Sequence, residues 1–457
     1  MSPDSEPKYV VAVIGAGPAG LFAAKQLASQ GVHVFLFNRD IKPGGLAEYG
    51  IYPDKHKMKE GLRVQFRQIL DLPNVEYFGN ITIGENGDLK LSDIRAMGFQ
   101  AVLVTVGAQG TKWLGLPGED LCGVYHAKDV VYHYNKLPPF SEKTYHIGNH
   151  VALVGAGNVM IDIARWLIHE RKVEDVTAVV RRGPAEVKFT RAELEEVAAN
   201  IDLEDLDAEI QRVSPFMLAV GQAPEKQREF FHEVAHKAAP STSPTRFRLR
   251  FLMSPRRILG DDQGSVRGLE VEDNKLVLEG AETKAQGLGS LHVLDVDTVI
   301  FAIGDRVDHS FGLPVNGLEF VKHPQPRFPI EGNSYEAYDP AAGRAIEGVF
   351  VAGWSRKASA GLVGIARKDG TQGANAVLQY LRSSSLPPAP PPEVIRERIL
   401  SLPKPVVTRA DIRRLEQVEN ELARRYGLEE FKFATNSEML SAMDLSPERF
   451  LEPSTGD

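Results

Sequence analysis

The sequence is poor in cysteine. Cys122 is the only one among 457 residues, so the chain cannot form an internal disulfide, a Cys-x-x-Cys redox pair or a four-cysteine iron–sulfur cluster. Any redox chemistry therefore requires a bound cofactor. We expect Cys122 to be a small packing residue, and such sparse use of cysteine is typical of a protein in the reducing cytoplasm.

Long apolar runs and excess basic charge are also missing. The sequence contains no apolar stretch of about 18 residues, and it therefore predicts no transmembrane helix. The first six residues are acidic and resemble neither a secretory signal nor an Arg-rich transit peptide. The formal net charge of −8 argues against nucleic-acid binding, which needs a basic face. The length predicts two or three globular domains.

A complete dinucleotide-binding motif lies near the start of the chain. The sequence predicts a buried strand at 9–14, a helix at 19–30 and a second strand at 32–37. The motif between the first strand and the helix consists of Gly15, Ala16, Gly17, Pro18, Ala19 and Gly20. Its glycines allow a tight turn, a close approach to a pyrophosphate and close packing of helix on strand. The helix N-terminus then faces the phosphates.

The residue expected to contact the ribose of this first nucleotide is unusual. Asn38 follows the second strand, where Asp or Glu is common. An amide oxygen still accepts a hydrogen bond, although without the help of a charge. We therefore expect a weakened ribose contact at Asn38.

A second motif of the same kind starts after a predicted strand at 151–154. It consists of Gly155, Ala156, Gly157, Asn158, Val159 and Met160. Methionine in place of the third small residue predicts looser packing of helix on strand. The next strand ends at Arg181 and Arg182, where arginines favour the 2′-phosphate of NADP and a carboxylate would favour NAD. The alternative interpretation is a pair of solvated arginines on a loop.

Two dinucleotide motifs in one chain predict a flavin at one and a nicotinamide at the other. Further segments then resemble the adrenodoxin reductase family, which includes bacterial ferredoxin–NADP reductases and is related to the small subunit of glutamate synthase. The resemblance runs in order along nearly the whole chain. It includes residues 44–51, 77–80, 116–119, 181–184, 189–193, 251–255 and 353–363.

This resemblance implies an α/β fold with two Rossmann-like three-layer dinucleotide-binding domains. The FAD-binding domain is expected to be discontinuous, with residues 1–109 and 336–457. The NADP-binding domain is expected as an insertion at 110–335. The Pro-rich stretch 383–392 predicts an extended linker before a C-terminal arm.

The resemblance also implies roles for individual residues. Ala19, Gly45, Leu46 and Ile81 are expected to line FAD. The isoalloxazine ring is expected to be held by Trp354 and by the backbone of Gly361, Leu362 and Val363. NADP is expected to bind through its pyrophosphate to Ala156, Gly157, Asn158 and Val159, through its 2′-phosphate to Arg181 and Arg182, and through a ribose hydroxyl to Glu193.

The chain departs from the family pattern near the expected chemistry. Lys55 occupies the position of a family histidine, and His56 is shifted by one residue. His56 and Glu196 are the candidate catalytic groups for proton transfer, whereas a surface role for His56 and a solvated helix glutamate are the alternatives. Residues 357–360 also differ from the family loop beside the expected nicotinamide, so the geometry of hydride transfer is expected to differ.

The resemblance implies an enzyme of the ferredoxin–NADP(+) reductase type, in which hydride passes from NADPH to FAD and electrons then pass to a ferredoxin-type iron–sulfur protein. One alternative is an NADPH-oxidising subunit of a larger redox complex, or an NADPH–quinone or dye reductase. Another is a non-catalytic flavin-binding protein. The sequence specifies neither the acceptor nor the oligomeric state. An acidic ferredoxin is expected to dock on local basic residues, namely Lys226, Arg228, Lys237, Arg246, Arg248, Arg250, Arg256 and Arg257.

Overall fold

The computed structural model describes residues 8–358 and 363–445 and divides them into two compact units. The first unit is built from three separate parts of the chain, and the second unit from two. The described residues of the first unit are 8–111, 132–142, 305–358 and 363–445, and those of the second are 112–131 and 143–304. Both units are α/β, which confirms the predicted fold class.

The compact units do not follow the predicted domain boundaries at every point, because residues 110–111, 132–142 and 305–335 group with the first unit. Strand Asp305–Arg306 pairs antiparallel with strand Gly110–Thr111 of that unit. Val307 and Phe311 are buried in its core. These local pairings hold the segment on the first unit. The assignment of FAD and NADP to the units stays a prediction.

The first unit is built on a six-stranded sheet. Its strands, in spatial order, are Glu336–Asp339, Arg344–Val351, Ala101–Val104, Val10–Ile14, His33–Phe37 and Val75–Phe78. Five of them are parallel, and Glu336–Asp339 is an antiparallel edge strand. Val11 and Val13 pack into one apolar cluster and Ala12 into another. The sheet is therefore buried on both faces, which explains the continuous apolar runs in the sequence.

Helices of the first unit cover both faces of this sheet. Their bounds are Pro18–Ser29, Leu46–Tyr49, His56–Leu70, Leu91–Ala96, Val363–Ser383, Pro392–Leu400, Arg409–Tyr426 and Asn436–Ala442. Helix Pro18–Ser29 packs closely on helix Val363–Ser383, because a Cβ added at Gly370 would lie 2.1 Å from the carbonyl oxygen of Ala19. Short strands Val315–Asn316 and Glu319–Phe320 form a hairpin.

The last part of the first unit is an extended linker followed by helices. After Ser383 the chain has no regular structure until helix Pro392–Leu400 begins, as the proline-rich sequence predicts. The backbone of Val407 then pairs with Gly79 in a β-bridge. Helix Arg409–Tyr426 starts at a capping box of Thr408 and Asp411.

The second unit is built on a parallel five-stranded sheet. Its strands, in spatial order, are Val124–His126, Thr298–Phe301, His150–Val154, Asp175–Val180 and Arg246–Phe251. A three-stranded antiparallel sheet follows in the same unit, formed by Met253–Gly260, Val266–Glu279 and Glu282–Leu294. The buried face of the second sheet shares one apolar core with the parallel sheet, since Ile258 and Leu269 cluster with Val154 and Phe301.

Helices of the second unit flank its parallel sheet. Their bounds are Asn158–Trp166, Arg191–Glu195, Leu203–Ala219 and Pro224–Lys237, and the first of them continues as a π-helical turn, Leu167–Arg171. Helix Ala127–Tyr134 contains the boundary between the two units. Short 3₁₀ turns lie at Pro184–Glu186 and Ala198–Asn200 in this unit, and at Phe140–Glu142, His309–Phe311 and Gly353–Ser355 in the first unit.

Two further predictions can be compared with the structure. Cys122 is exposed, so its interpretation as a packing residue is wrong. Its backbone bridges to Ser265, and this pairing leaves the thiol at the surface. In the described part of the chain, none of the helices is long and apolar enough to cross a membrane.

Candidate cofactor-binding sites

The first glycine loop, residues 15–20, is closed against the sheet on two sides. Gly15 has a φ of +107°, and a Cβ added there would lie 2.5 Å from the carbonyl oxygen of Thr105. A Cβ at Gly20 would lie 1.8 Å from the carbonyl oxygen of Gly15. The hydroxyl of Thr105 also donates to the carbonyl oxygen of Gly15 at 2.8 Å. Only glycine therefore fits at the first and third positions of this motif.

The middle of the same loop is open. A Cβ added at Gly17 would meet none of the described atoms within 4 Å. Gly17 caps helix Pro18–Ser29, whose first residue is a proline. The free backbone N–H groups of a helix start attract an anion, and Gly17 leaves room for it. Gly45 lies beside this opening, since its added Cβ would be 3.1 Å from the Cα of Gly17.

Asn38 fixes the first glycine loop from behind. Its amide oxygen accepts the N–H of Ala16 at 3.1 Å, and its amide nitrogen donates to the carbonyl oxygens of Asp40 and Lys42. Ile81 completes the contact by donating its N–H to the carbonyl oxygen of Asn38 at 3.0 Å. The structure thus brings three predicted FAD residues together and gives the Asn38 amide a role within the protein.

The expected flavin-contacting segment forms a short helix next to this loop. Gly44 donates its N–H to the carbonyl oxygen of Ala16 at 2.7 Å, which ties the segment to the first glycine loop. Leu46 begins helix Leu46–Tyr49 and packs on a small apolar cluster with Tyr49 and Tyr132. The segment is therefore held against the first glycine loop by its backbone, while its side chains pack on Tyr132.

The turn at Trp354 is braced by residues that sequence analysis did not single out. Buried Asp369 accepts the N–H of Gly353 at 2.6 Å and the hydroxyl of Tyr335 at 3.1 Å, and it pairs with the guanidinium of Arg356. Asp369 lies on helix Val363–Ser383. No local sequence signal marks this role, because the partners Tyr335 and Gly353 are 34 and 16 residues away.

Further contacts complete the environment of Trp354. The hydroxyl of Ser355 accepts the N–H of Gly107 at 2.9 Å, and a Cβ at Gly353 would lie 2.6 Å from the Cβ of Ala19. Trp354 is half-buried, and Val363 packs on the core at the start of its helix. The predicted contacts at Gly361 and Leu362 lie outside the described residues.

The second glycine loop, residues 155–160, has the same outline with different support. A Cβ at Gly155 would lie 2.3 Å from the carbonyl oxygen of Ala302, whereas one at Gly157 would meet none of the described atoms within 4 Å. Ala156 accepts the N–H groups of Lys188 and Phe189 through its carbonyl oxygen. These contacts fix the loop and leave the position of Gly157 open for a ligand.

Some side chains of this second loop make contacts within the protein, and one is exposed to solvent. The amide oxygen of Asn158 accepts the N–H of Thr190 at 2.9 Å. Val159 is exposed at the start of the helix, and Met160 is fully buried. Glu193 lies in the first turn of helix Arg191–Glu195, where its N–H donates to the hydroxyl of Thr190. Loop and short helix are thereby joined at the position predicted for the NADP ribose.

Arg181 and Arg182 follow strand Asp175–Val180 of this unit and are available to an anion. Their backbone carbonyl oxygens accept hydrogen bonds from Asn274 and Leu252. Arg181 is exposed and Arg182 half-buried. Across the described residues, neither guanidinium has a carboxylate partner. Guanidinium groups without a carboxylate partner suit a phosphate, and the contact of these two arginines with the 2′-phosphate of NADP stays a prediction.

The two candidate catalytic residues both have ion-pair partners. His56 begins helix His56–Leu70, and its Nδ1 lies 3.1 Å from a carboxylate oxygen of Glu429. Glu196 lies 2.9 Å from the guanidinium of Arg165. Each contact supports the structural interpretation of these residues as well as a catalytic one, and their catalytic roles stay predictions.

His126 is a titratable group that sequence analysis missed. It ends strand Val124–His126, packs against the ring of Trp113 and lies 3.3 Å from the carbonyl oxygen of Gly304. Burial lowers the pKa of His126 to about 4. The imidazole is therefore neutral at physiological pH and acts as a packing group at the carboxyl edge of the parallel sheet.

Comparison with known proteins agrees with this geometry. Residues 9–204 match the family of pyridine nucleotide-disulphide oxidoreductases. NADPH-ferredoxin reductase FprA of Mycobacterium leprae is 28% identical over 412 residues, covering 82% of this chain and 84% of the relative. The mitochondrial NADPH:adrenodoxin oxidoreductase of Arabidopsis thaliana is 28% identical over 404 residues, covering 79% and 80%.

A solved structure, Mycobacterium tuberculosis FprA in complex with NADPH, superposes with a TM-score of 0.77 at 25% identity, covering 96% of this chain and 99% of that chain. The chain thus has two α/β units, and over residues 9–204 it is similar to the pyridine nucleotide-disulphide oxidoreductases. More particularly, the chain is a relative of the adrenodoxin reductases and bacterial NADPH–ferredoxin reductases. This confirms the resemblance predicted from the motifs.

Proposed function

We propose that this protein is an FAD-dependent oxidoreductase that takes electrons from NADPH and passes them to a ferredoxin-type iron–sulfur protein. The first unit holds FAD, and the second unit holds NADP. FAD supplies the chemistry, because a flavin accepts a hydride from NADPH and releases electrons singly. Relatives with this named activity match about four-fifths of the chain. We also propose a cytoplasmic location, in keeping with the single cysteine.

The observation that carries this proposal is the pairing of an open glycine loop with unpaired arginines in the second unit. Gly157 leaves space at a helix N-terminus for a pyrophosphate, and Arg181 and Arg182 at the next strand end lack a counterion within the described residues. A dinucleotide with a 2′-phosphate satisfies both features. Their combination favours NADP over NAD.

The residues of the first unit would hold FAD without taking part in bond making. Gly17 and the helix start admit the pyrophosphate, while Asn38 and Ile81 support the loop beneath it. The turn at Trp354, braced by Asp369, would orient the ring system. The contribution of the protein is alignment and electrostatics.

The acceptor surface requires a change from the sequence-based hypothesis. Arg246, Arg248 and Arg250 do lie on one face of their strand, as predicted. Arg246 and Arg248, however, pair with Asp175, and Arg250 pairs with Asp205. These two carboxylates offset part of the charge of the three arginines, so the face is less basic than its sequence suggests.

The three remaining arginines behave in the same way, whereas Lys226 and Lys237 have no carboxylate partner among the described residues. Arg228 pairs with Asp207, Arg256 with Glu272 and Arg257 with Glu270. Because exposed ion pairs are weak, a docking acidic protein could still exchange partners with them. We therefore expect only a moderate salt dependence of acceptor reduction.

The decisive experiment is anaerobic titration of the purified protein with NADPH. We expect one non-covalent FAD per chain and complete bleaching of its absorbance by NADPH, with a much weaker response to NADH at equal concentration. A protein that binds FAD but is not reduced by NADPH would be the non-catalytic alternative. Absence of FAD after reconstitution would refute the whole proposal.

The acceptor is tested by comparing several ferredoxins with quinones and ferricyanide. We expect at least one ferredoxin to be reduced, more slowly as salt rises from about 0.05 to 0.5 M, because steering between exposed charges is screened. Ferricyanide needs no protein docking and controls for salt effects on NADPH oxidation. Rapid quinone reduction with no ferredoxin activity would favour the alternative acceptors.

A further inference from the structure

A buried group of charged residues joins the flavin-contacting segment to the end of the chain. Glu48, only 3% exposed, lies in helix Leu46–Tyr49. Its carboxylate accepts two hydrogen bonds from Arg63 at 2.7 and 2.6 Å, and the ammonium of Lys432 lies 2.7 Å away. Opposite charges around Glu48 hold the pKa of its carboxyl group well below the usual range despite burial.

Lys432 makes several contacts with the same short helix. Its ammonium also donates to the backbone carbonyl oxygen of Glu48 at 3.1 Å and lies 5.1 Å from the ring centroid of Tyr49. A cation in this position is attracted by the face of the ring. Lys432 thus contacts the side chain of Glu48, the backbone of Glu48 and the ring of Tyr49, all in the flavin-contacting helix.

A second ion pair fixes the other end of the segment. The ammonium of Lys42 lies 2.5 Å from a carboxylate oxygen of Glu419, and both side chains are buried. The backbone carbonyl oxygen of Lys42 also accepts the amide of Asn38. The segment from Lys42 to Glu48 is therefore bounded at both ends by buried ion pairs with the last part of the chain.

That last part, residues 392–445, is named the C-terminal arm here. Its attachment to the first unit does not depend on these ion pairs, because Ile412, Leu415 and Met439 already belong to the apolar core. Buried ion pairs add little net stability compared with apolar packing. Their effect is to fix the geometry of the segment, since a charge that is buried and paired tolerates only a narrow range of geometries.

We propose that the C-terminal arm positions the flavin-contacting segment, with Lys432 and Glu419 as positioning residues. The proposal deepens the proposed function and rests on it, since residues 44–51 are expected to contact FAD. The arm lies outside the residues that match the oxidoreductase family model, which end at 204. The dinucleotide fold thus receives part of its cofactor geometry from a separate segment.

The test uses the holoprotein of two single variants, Lys432→Met and Glu419→Gln. Each substitution removes a charge and approximately keeps the size of the side chain. The expected result is at least tenfold faster release of FAD, measured by the rise in flavin fluorescence, together with a changed visible circular dichroism of the bound flavin. Lys432→Arg keeps the charge and should restore part of both properties. Binding of NADP to the second unit should be unchanged.

Arg414→Met is the matched control, because Arg414 lies on the same helix as Glu419 and pairs with Asp444 at the surface. It should leave both flavin signals unchanged. A Lys432→Met protein with lower thermal stability but unaltered flavin dichroism and release would overturn the proposal and leave only a structural role. If Lys432→Met fails to fold, Glu419→Gln decides by the same measurements. If wild-type protein holds no FAD, the proposed function itself fails, which is a distinct result.

Discussion

The two glycine loops share a sequence pattern but differ in how they are packed. In the first loop, a Cβ at Gly20 would lie 1.8 Å from the carbonyl oxygen of Gly15, so helix and strand are in direct backbone contact. In the second loop, Met160 stands at the third position and is fully buried. In the second loop the long side chain of Met160 therefore occupies the space between helix and strand. In the first loop no such space exists, because the backbones are in contact.

The surroundings of the loops differ as well. The first loop is tied to Asn38 and to a neighbouring segment that is fixed by buried charges, including Glu48. The second loop is held by backbone hydrogen bonds from Lys188 and Phe189 and leaves Arg181 and Arg182 without counterions among the described residues. The first arrangement suits a cofactor that stays bound. The second suits a nucleotide that must enter and leave.

The strongest test of this comparison is Gly20→Val. Its branched side chain would collide with backbone, which cannot move aside as a flexible side chain can, so we expect loss of folded FAD-containing protein on expression. Gly17→Ala is the control, because its methyl group meets none of the described atoms within 4 Å. It should fold with near-normal thermal stability and bind FAD more weakly. Equal yields of holoprotein from Gly20→Val and wild type would show that the tight packing is not required.

A second test asks whether Asn38 supports the loop or contacts the ribose. Asn38→Asp restores the acid common in such motifs but removes the two hydrogen bonds that the amide donates to Asp40 and Lys42. Leaving two buried carbonyl oxygens facing a carboxylate should lower the free energy of unfolding by roughly 2–5 kcal/mol. Chemical denaturation measures this change. Unchanged stability with tighter FAD binding would instead assign Asn38 to the ribose.

The arginines provide a test on the second loop. Each contact with a phosphate is a charge-assisted hydrogen bond worth about 1.5–3 kcal/mol. Arg181→Ala and Arg182→Ala should each raise the Kd for NADPH by about 10- to 100-fold. The Kd for NADH, which lacks the 2′-phosphate, is the internal control and should hardly change. Equal losses for both nucleotides would contradict the 2′-phosphate assignment.

Local sequence patterns predicted those features that depend on neighbouring residues. Apolar runs located the strands at 10–14 and 150–154, and glycine spacing located both loops. The alternation in 246–250 correctly placed three arginines on one face. These features follow from strand periodicity and turn geometry, which a short stretch of sequence contains.

Features that depend on partners distant in sequence could not be predicted. Asp369, Lys432 and Glu419 acquire their roles from contacts with residues 16 to 384 positions away. The ion pairs of the arginine face were missed for the same reason, because Asp175 comes from a neighbouring strand. The exposure of Cys122 depends on a bridge to Ser265 rather than on its own apolar surroundings.

The smallest expected effect concerns a buried lysine near the flavin-contacting segment. Lys59 is 1% exposed, and its ammonium donates to the amide oxygen of Asn135 at 2.8 Å. Burial, together with the nearby charge of Lys432, lowers the pKa of Lys59 from 10.5 to about 7. Lys59 is therefore only partly charged at neutral pH, in a part of the first unit where its charged neighbours include Glu48.

Lys59→Met tests this partial charge through the pH dependence of stability. Between about pH 7 and 10.5 the unfolded chain keeps the lysine proton that the folded chain has released, so the folded state of the parent becomes more stable as pH rises. From pH 7 to 8 this contributes about 1 kcal/mol to the free energy of unfolding. The variant lacks the titrating group, so its stability relative to the parent should fall by that amount over the same interval. Groups common to both proteins cancel in the difference, and the lost hydrogen bond to Asn135 adds only a constant offset. Denaturant unfolding at the two pH values measures the change. A parallel pH dependence in parent and variant would mean that Lys59 stays protonated in the folded protein.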